Sequence, residues 1–197
     1  MCGRGEDLEE VEDEDPPGEG KGKGEKNSII IIRGPSSVGK SSVSRRLAEV
    51  LPMCGHIDVD RTVWYSTQTW EELGLGYFGD HGFIKALAAE CLKLGLTPIF
   101  EQMLEDEDAL ETLVADLEAE HGAVHVFNLT INDESEHLAR DSGRPAVEGP
   151  IGPDGVRYFA EKKAWDNPSI GAVIDTTGKS VGDVAQEIMR RIEADAE

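Results

Sequence analysis

The hydrophobic positions of the chain change their spacing several times after residue 27. Residues 28–33 read Ser-Ile-Ile-Ile-Ile-Arg, an unbroken β-branched run that is typical of a strand buried on both faces of a parallel sheet. Four more short apolar runs predict strands at 56–59, 97–103, 123–130 and 170–174.

Between these runs, apolar residues recur three and four positions apart, which predicts helices. The first helix is expected after Gly39 and extends to about Leu51, the second spans 83–94, and the third includes 110–117 and ends at His121. A fourth is expected from an N-cap at Asn132 to about Arg140. Two more are expected near 159–165 and at 181–192. The Gly- and Pro-rich stretch 141–155 predicts irregular structure. Strands that alternate with helices predict the α/β class, with a parallel sheet and right-handed crossovers.

The first 27 residues differ in composition from the rest. They carry ten acidic and four basic side chains, a net charge of −6, and very few aliphatic ones. Such a segment cannot bury enough apolar surface to offset its chain entropy. We therefore expect a disordered acidic tail at 1–27 and one folded domain at 28–197. A partner-binding role for this tail is the alternative to a solvating extension.

Charge narrows the range of partners. The 197 residues include 40 acidic and 19 basic side chains, and the formal net charge is −21. Such a chain repels polyanions, so we expect neither non-specific nucleic-acid binding nor attachment to a membrane surface. No apolar run approaches the roughly 20 residues of a membrane helix. Three widely spaced cysteines suggest no disulfide framework, and the expected location is the cytoplasm.

The segment after the first strand carries the most specific motif. Residues 34–41 fit the pattern G-x-x-x-x-G-K-[ST] and read Gly34, Pro35, Ser36, Ser37, Val38, Gly39, Lys40 and Ser41. Glycines allow backbone N–H groups to surround phosphates, and the helix that follows presents its positive dipole end. Lys40 is expected to reach the β- and γ-phosphates, and Ser41 to ligate Mg²⁺. Ser42 completes the predicted nucleotide-binding set.

The class of nucleotide-binding protein follows from length and from a missing motif. No N-K-x-D tetrapeptide for guanine recognition occurs in the sequence, and the chain is too short for a motor or an oligomeric ATPase. These features favour a small kinase, in which catalysis is mostly positioning and charge neutralisation. We expect ATP and Mg²⁺ as its cofactors.

Acidic residues follow two of the predicted strands. Asp58 and Asp60 lie on the same side of the second strand by their spacing, and either could hold an acceptor hydroxyl. Capping of the next segment is the competing interpretation. Glu101 ends the third strand and is a candidate carboxylate for Mg²⁺ or its water, with simple strand-end solvation as the alternative.

Two arginines and a group of aromatic residues complete the candidate site. Arg140 and Arg144 flank the start of the Gly- and Pro-rich stretch and fit a lid over the phosphates, although surface ion pairing would also explain them. Aromatic side chains between the second strand and the next helix predict an acceptor pocket or a local core; they are Trp64, Tyr65, Trp70, Tyr77 and Phe78. The five histidines show no metal-ligand spacing.

The body of the chain resembles chloramphenicol 3-O-phosphotransferase and related small P-loop kinases of the shikimate and nucleotide kinase group. The resemblance rests on residues 29–41, on Asp58-Val59-Asp60, on 138–144 and on 174–179, and it covers about 28–197. It implies that Asp60 faces the acceptor hydroxyl and that Arg140 and Arg144 act as lid arginines. It also implies that the Asp175–Lys179 loop, including Thr177, lies near the adenine. The implied fold is a five-stranded parallel sheet in the nucleoside monophosphate kinase arrangement.

These observations together predict an ATP- and Mg²⁺-dependent kinase that phosphorylates a hydroxyl group of a small molecule. A nucleotide-binding regulatory protein or ATPase with the acidic tail as its partner-binding arm is the alternative from another class. Within the kinases, a nucleoside or polynucleotide 5′-hydroxyl kinase is the second alternative. The acceptor, the choice between ATP and GTP, and the oligomeric state stay open.

Overall fold

Five strands form one sheet in this computed structural model, which describes residues 28–59, 81–145 and 149–195. The strands are β1 (Ile29–Arg33), β2 (Cys54–Asp58), β3 (Thr97–Gln102), β4 (Val124–Thr130) and β5 (Ala172–Asp175). Their order across the sheet is β2-β3-β1-β4-β5, and every neighbouring pair is parallel. The predicted five-stranded parallel α/β sheet is thus confirmed.

Helices connect the strands and cover both faces of the sheet. They are α1 (Lys40–Val50), α2 (Gly82–Lys93), α3 (Glu107–His121), α4 (Glu134–Ser142), α5 (Gly152–Lys162) and α6 (Val181–Asp195), with a short 3₁₀ helix at Pro168–Ile170. α2 and α3 contribute their buried side chains to the core on one face. α1 and α6 do so on the other face.

The isoleucine run of β1 lies at the centre of both cores. Ile29 and Ile31 pack with the side chains of α2 and α3, whereas Ile30 and Ile32 pack with those of α1 and α6. All four are at most 1% exposed. Because successive side chains of a strand point to opposite faces, a strand covered on both sides needs an apolar residue at every position. The burial explains the lack of polar alternation.

The helix that was predicted near 159–165 lies earlier in the chain than expected. Helix α5 spans Gly152–Lys162 and begins inside the stretch 141–155 that was predicted to be irregular, so the prediction of a helix near 159–165 was wrong in its bounds. Pro153 lies in the first turn of α5, where a proline loses no helical hydrogen bond. From the sequence, the prolines of the stretch 141–155 were interpreted as helix breakers.

Smaller corrections concern the bounds of several elements. The strand that was predicted at 170–174 is β5 at Ala172–Asp175, and Ile170 ends the 3₁₀ helix before it. The N-cap of α4 is Asp133 and not Asn132, since the Asp133 side chain accepts the backbone N–H of Glu136 at 2.9 Å. β2 begins at Cys54, two residues earlier than predicted. Both candidates for the cap are typical N-cap residues, and only the backbone geometry distinguishes them.

A buried arginine ends β1. Arg33 is 0% exposed, and its guanidinium donates to Asn128 Oδ1 at 2.6 Å, to the Leu104 carbonyl at 2.8 Å and to the Ala164 carbonyl at 2.6 Å. Burial lowers its pKa to about 10, against the raising effect of Glu107, whose carboxylate lies 3.9 Å away. Arg33 therefore joins β4, the segment after β3 and the segment after α5 directly beside the predicted phosphate loop.

Several predictions fall outside the described residues. These are the acidic tail at 1–27, Asp60 and the aromatic residues Trp64, Tyr65, Trp70, Tyr77 and Phe78. In the part of the chain that the structure describes, no helix combines the length and the apolar character needed to cross a membrane.

Candidate functional site

The predicted phosphate loop lies at the carboxyl end of β1, where ligands bind in open α/β sheets. It adopts positive φ angles at Ser37 (65°) and Gly39 (107°). Helix α1 starts at Lys40, and among the described residues no side chain caps its N-terminus and its first turn carries no acidic residue. The backbone N–H groups of a helix start and the positive end of the helix dipole are the elements of an anion-binding site.

Lys40 lies against the loop that precedes it. Its ammonium group donates to the carbonyl oxygens of Gly34 at 3.0 Å and of Pro35 at 2.9 Å. The positive charge is therefore held at the loop itself. A lysine at this position acts on phosphates as a point charge with rotatable donors.

Ser36 of the loop is fixed by residues at and after helix α4. His137 Nε2 lies 2.7 Å from the Ser36 carbonyl oxygen, and Arg144 donates to the Ser36 hydroxyl at 2.6 Å. His137 is 2% exposed. The structure thus brings Arg144 to the phosphate loop, as the prediction of its role requires.

Arg140 connects the phosphate loop to the segment after β5. It donates through Nη1 to the Val38 carbonyl at 2.9 Å and to the Thr176 hydroxyl at 3.0 Å, and through Nη2 to the Thr176 carbonyl at 2.8 Å. Nη2 also pairs with Glu136 at 2.5 Å. Arg140 thus lies at the phosphate loop, and these four contacts are to protein groups that it holds together; its role as a lid arginine stays a prediction.

The loop at Asp175–Lys179 is ordered by its own short contacts. Thr177 donates to Asp175 Oδ1 through both its N–H, at 3.0 Å, and its hydroxyl, at 2.6 Å, and its hydroxyl accepts the Asn132 N–H at 2.9 Å. The Gly178 N–H donates to Glu136 at 2.9 Å. Through Thr176 and Arg140, this loop is held next to the phosphate loop. The contact with adenine that the resemblance implies stays a prediction.

Glu101 lies beside the start of α1 with both carboxylate oxygens engaged. Oε1 accepts the Ser41 hydroxyl at 2.5 Å, and Oε2 lies 2.8 Å from His56 Nε2. Glu101 is 3% exposed. Burial alone would raise its pKa, but the hydrogen bonds from His56 and Ser41 and the nearby charge of Lys40 outweigh burial and hold the pKa below its usual range. The two predicted metal ligands, Ser41 and Glu101, are thus in direct contact.

Asp58 is the register partner of Glu101 on the neighbouring strand, which brings the two carboxylates to the same face at the same edge of the sheet. Asp60, the other candidate for the acceptor carboxylate, lies outside the described residues. Sequence reasoning missed His56, His137 and Asp141 as parts of the site. The period-two spacing of His56 and Asp58 was a signal that could have identified the first of them.

The side chains of the described residues do not form a metal centre by themselves. They contain no group of three or more His, Cys, Asp or Glu side chains that could hold a metal ion. Mg²⁺ does not need one, since it is commonly bound by one or two protein oxygens together with substrate phosphates and water. The adjacent hydroxyl of Ser41 and carboxylate of Glu101 fit this donor chemistry.

Compared by sequence, the chain matches no protein-family model and no curated protein. Solved structures do match its fold. A tunicamycin resistance protein from Deinococcus radiodurans superposes with a TM-score of 0.61 at 20% identity, covering 84% of this chain and 95% of the other. A gluconokinase from Sinorhizobium meliloti gives 0.58 at 17% identity, covering 83% and 90%. A thymidylate kinase from Candida albicans gives 0.56 at 15% identity, covering 87% and 93%.

These likenesses define the class of fold. The chain has the fold of the P-loop kinases, and its sequence motif at 34–41 occupies the strand–loop–helix position that the motif requires. The more specific resemblance to chloramphenicol phosphotransferase stays a prediction.

Proposed function

We propose that this protein is an ATP- and Mg²⁺-dependent phosphotransferase that acts on a hydroxyl group of a small molecule. One observation carries the proposal: Lys40, Arg140 and Arg144 all donate hydrogen bonds to the phosphate-binding loop that leads into the N-terminus of α1. Three cations at one place are unusual on a chain with a net charge of −21, and they suit a small polyphosphate ligand.

Residues 34–42 would hold the phosphates, with the backbone N–H groups as donors and Lys40 as the positive charge. Ser41 and Glu101 would hold Mg²⁺, which supplies charge neutralisation on the phosphate oxygens. Thr177 and its loop would lie beside the base. The chain's own part is to position these groups before the nucleotide arrives.

In the proposed reaction, the acceptor oxygen forms a bond to the γ-phosphorus while the bond between that phosphorus and ADP breaks. The acceptor proton passes to a carboxylate, for which Asp58 and Asp60 are the candidates; the resemblance favours Asp60. Arg140 and Arg144 would stabilise charge on the transferred group. Because the transition state is loose, the carboxylate contributes as much by orienting the hydroxyl as by accepting its proton.

The names of the structural neighbours support a small acceptor. They include a gluconokinase and a thymidylate kinase as well as a resistance protein for tunicamycin, which suggests sugar acids, nucleotides and hydroxyl-bearing antibiotics as compounds to test. The resemblance to chloramphenicol phosphotransferase adds chloramphenicol to that panel.

The test is acceptor-stimulated release of ADP over such a panel, with the wild type beside Lys40→Ala and Asp60→Asn. We expect Lys40→Ala to lower turnover at least about 100-fold, as the loss of a preorganised charge contact does. Lys93→Ala is the matched control, because Lys93 pairs with Glu90 on an exposed helix surface. Full turnover by Lys40→Ala with its fold intact would refute the proposal.

A second arm of the same experiment removes residues 1–27. Unchanged turnover on the small acceptor by the shortened protein supports a kinase whose activity lies in 28–197. Loss of activity on deletion would favour the alternative in which the acidic tail is the functional arm.

A further inference from the structure

The carboxylate of Glu101 is held from two sides by residues of different elements. Ser41, at the start of α1, donates to Oε1 at 2.5 Å, and His56, in β2, lies 2.8 Å from Oε2. In the proposed function, Ser41 and Glu101 belong to the metal subsite. His56 has no assigned role.

Sheet topology explains how His56 reaches Glu101. β2 and β3 are neighbours, His56 is the register partner of Ile99, and Asp58 is the register partner of Glu101. Positions two apart in a strand share a face, so His56 lies diagonally opposite Glu101 on the face that carries α1. The contact therefore depends on the strand pairing and not on the proximity of the two residues in the sequence.

A charged Glu101 at this position needs a donor. Its side chain is 4% exposed and therefore lacks most of its hydration, and Asp58 lies directly opposite on the same face. A buried carboxylate oxygen that has no hydrogen-bond donor destabilises the structure. Ser41 satisfies one oxygen only. A hydrogen bond from His56 to the other oxygen keeps the group oriented towards Ser41.

We infer that His56 is a positioning residue of the metal subsite, which fixes the Glu101 carboxylate by donating a hydrogen bond to Oε2. The inference rests on the proposed function, because it takes Ser41 and Glu101 as metal ligands. Partners that orient ligands in this way contribute to metal affinity even though they never touch the metal.

The experiment measures metal binding rather than turnover. Wild type, His56→Leu and His56→Gln are titrated with Mn²⁺ in the presence of ADP, and bound Mn²⁺ is followed by electron paramagnetic resonance. His56→Leu removes the donor and keeps the bulk, whereas the amide of His56→Gln can still donate. The affinity for ADP is measured in parallel with EDTA present, so that no metal is bound. If His56 only positions the metal ligand Glu101, its substitution leaves this metal-free affinity for ADP unchanged. His125→Leu is the matched control, a part-buried histidine on β4 that pairs with Asp195 far from the loop.

The wild type is expected to bind Mn²⁺ with ADP, and His56→Leu to bind it about 10- to 100-fold more weakly. His56→Gln should stay within about threefold of the wild type, as a retained hydrogen bond predicts. Equal losses in both variants, or unchanged affinity in His56→Leu, would overturn the inference and leave the proposed function standing. A wild type that binds no Mn²⁺ with ADP would overturn both. If His56→Leu fails to fold, His56→Gln alone decides the outcome. A large loss of Mn²⁺ affinity in His56→Gln contradicts the inference.

Discussion

The hydroxyl of Ser37 donates to the carboxylate of Asp141 at 2.7 Å, across 104 residues of sequence. The same carboxylate accepts the backbone N–H groups of Ile151 at 3.1 Å and Gly152 at 2.9 Å. Ile151 is the N-cap of α5 and makes no side-chain capping bond. Asp141 therefore caps α5 from α4 and joins that cap to the phosphate loop.

The first prediction concerns this coupling. We expect Asp141→Ala to lower the free energy of unfolding by about 2 kcal/mol, because it leaves three part-buried donors without this partner. Ser37→Ala should cost less, since it removes one hydroxyl. In the double variant the losses should fall short of the sum by about 1 kcal/mol, as expected for residues in one network.

Urea unfolding of the four proteins measures this cycle. Asp154→Ala serves as the control, because that side chain is 98% exposed and its loss should change stability by less than about 0.5 kcal/mol. Strictly additive losses would show that Ser37 and Asp141 are energetically independent.

The second prediction concerns the loss of stability at acidic pH. Burial alone would raise the pKa of Asp141, but the hydrogen bonds from Ser37, Ile151 and Gly152 outweigh it and keep the pKa below the ordinary 3.8. Such a group stabilises the fold above its ordinary pKa, and the contribution is lost as the pH falls through the lower folded-state value. The stability difference between wild type and Asp141→Asn should be largest near neutrality and shrink below about pH 4. Urea unfolding at several pH values tests this, and a difference that does not depend on pH would contradict it.

Much of the fold was predictable because its signals are local. The isoleucines of β1 and the motif at 34–41 each lie within one element, and covering both faces of the sheet requires the unbroken apolar run that the sequence contains. The start of α5 was not predictable in the same way. Its N-terminus is capped by Asp141, ten and eleven residues before the N–H groups that it accepts.

In the candidate site, too, the local features were predictable and the contacts between distant residues were not. Lys40 and Ser41 follow from the motif alone, whereas the contact of Arg33 with Asn128 spans 95 residues and that of His56 with Glu101 spans 45. Such pairs depend on which strands are neighbours, and apolar periodicity carries no information on strand order. A buried arginine at the end of β1 runs against the usual exposure of charged residues, so composition gave no indication of it.

The third prediction tests the close approach of backbone at the start of the phosphate loop. A Cβ at Gly34 would lie 2.6 Å from the carbonyl oxygen of Leu129 in β4, a backbone atom that cannot move without disturbing the sheet. We expect Gly34→Ala to lower the free energy of unfolding by at least about 2 kcal/mol. Gly55→Ala in β2 is the matched control, since none of the described atoms lies within 4 Å of its Cβ position. Equal losses in the two variants, measured by urea unfolding, would contradict this account.

The fourth prediction concerns Arg140, whose guanidinium donates to a carbonyl of the phosphate loop and to both oxygens of Thr176. A lysine side chain has a single nitrogen, so it cannot donate to all the acceptors that the planar guanidinium group reaches. We therefore expect Arg140→Lys to behave like Arg140→Met, with a loss of about 2 kcal/mol in unfolding free energy because several part-buried acceptors lose their donor. Affinity for ADP, measured by calorimetry, should fall about tenfold in both, since a charged contact to phosphate or its supporting loop is lost.

Arg157→Met is the control, because Arg157 is exposed and pairs only within α5 among the described residues. If Arg140→Lys retains both the stability and the ADP affinity of the wild type, a single positive charge is sufficient at this position and the bridging role is refuted.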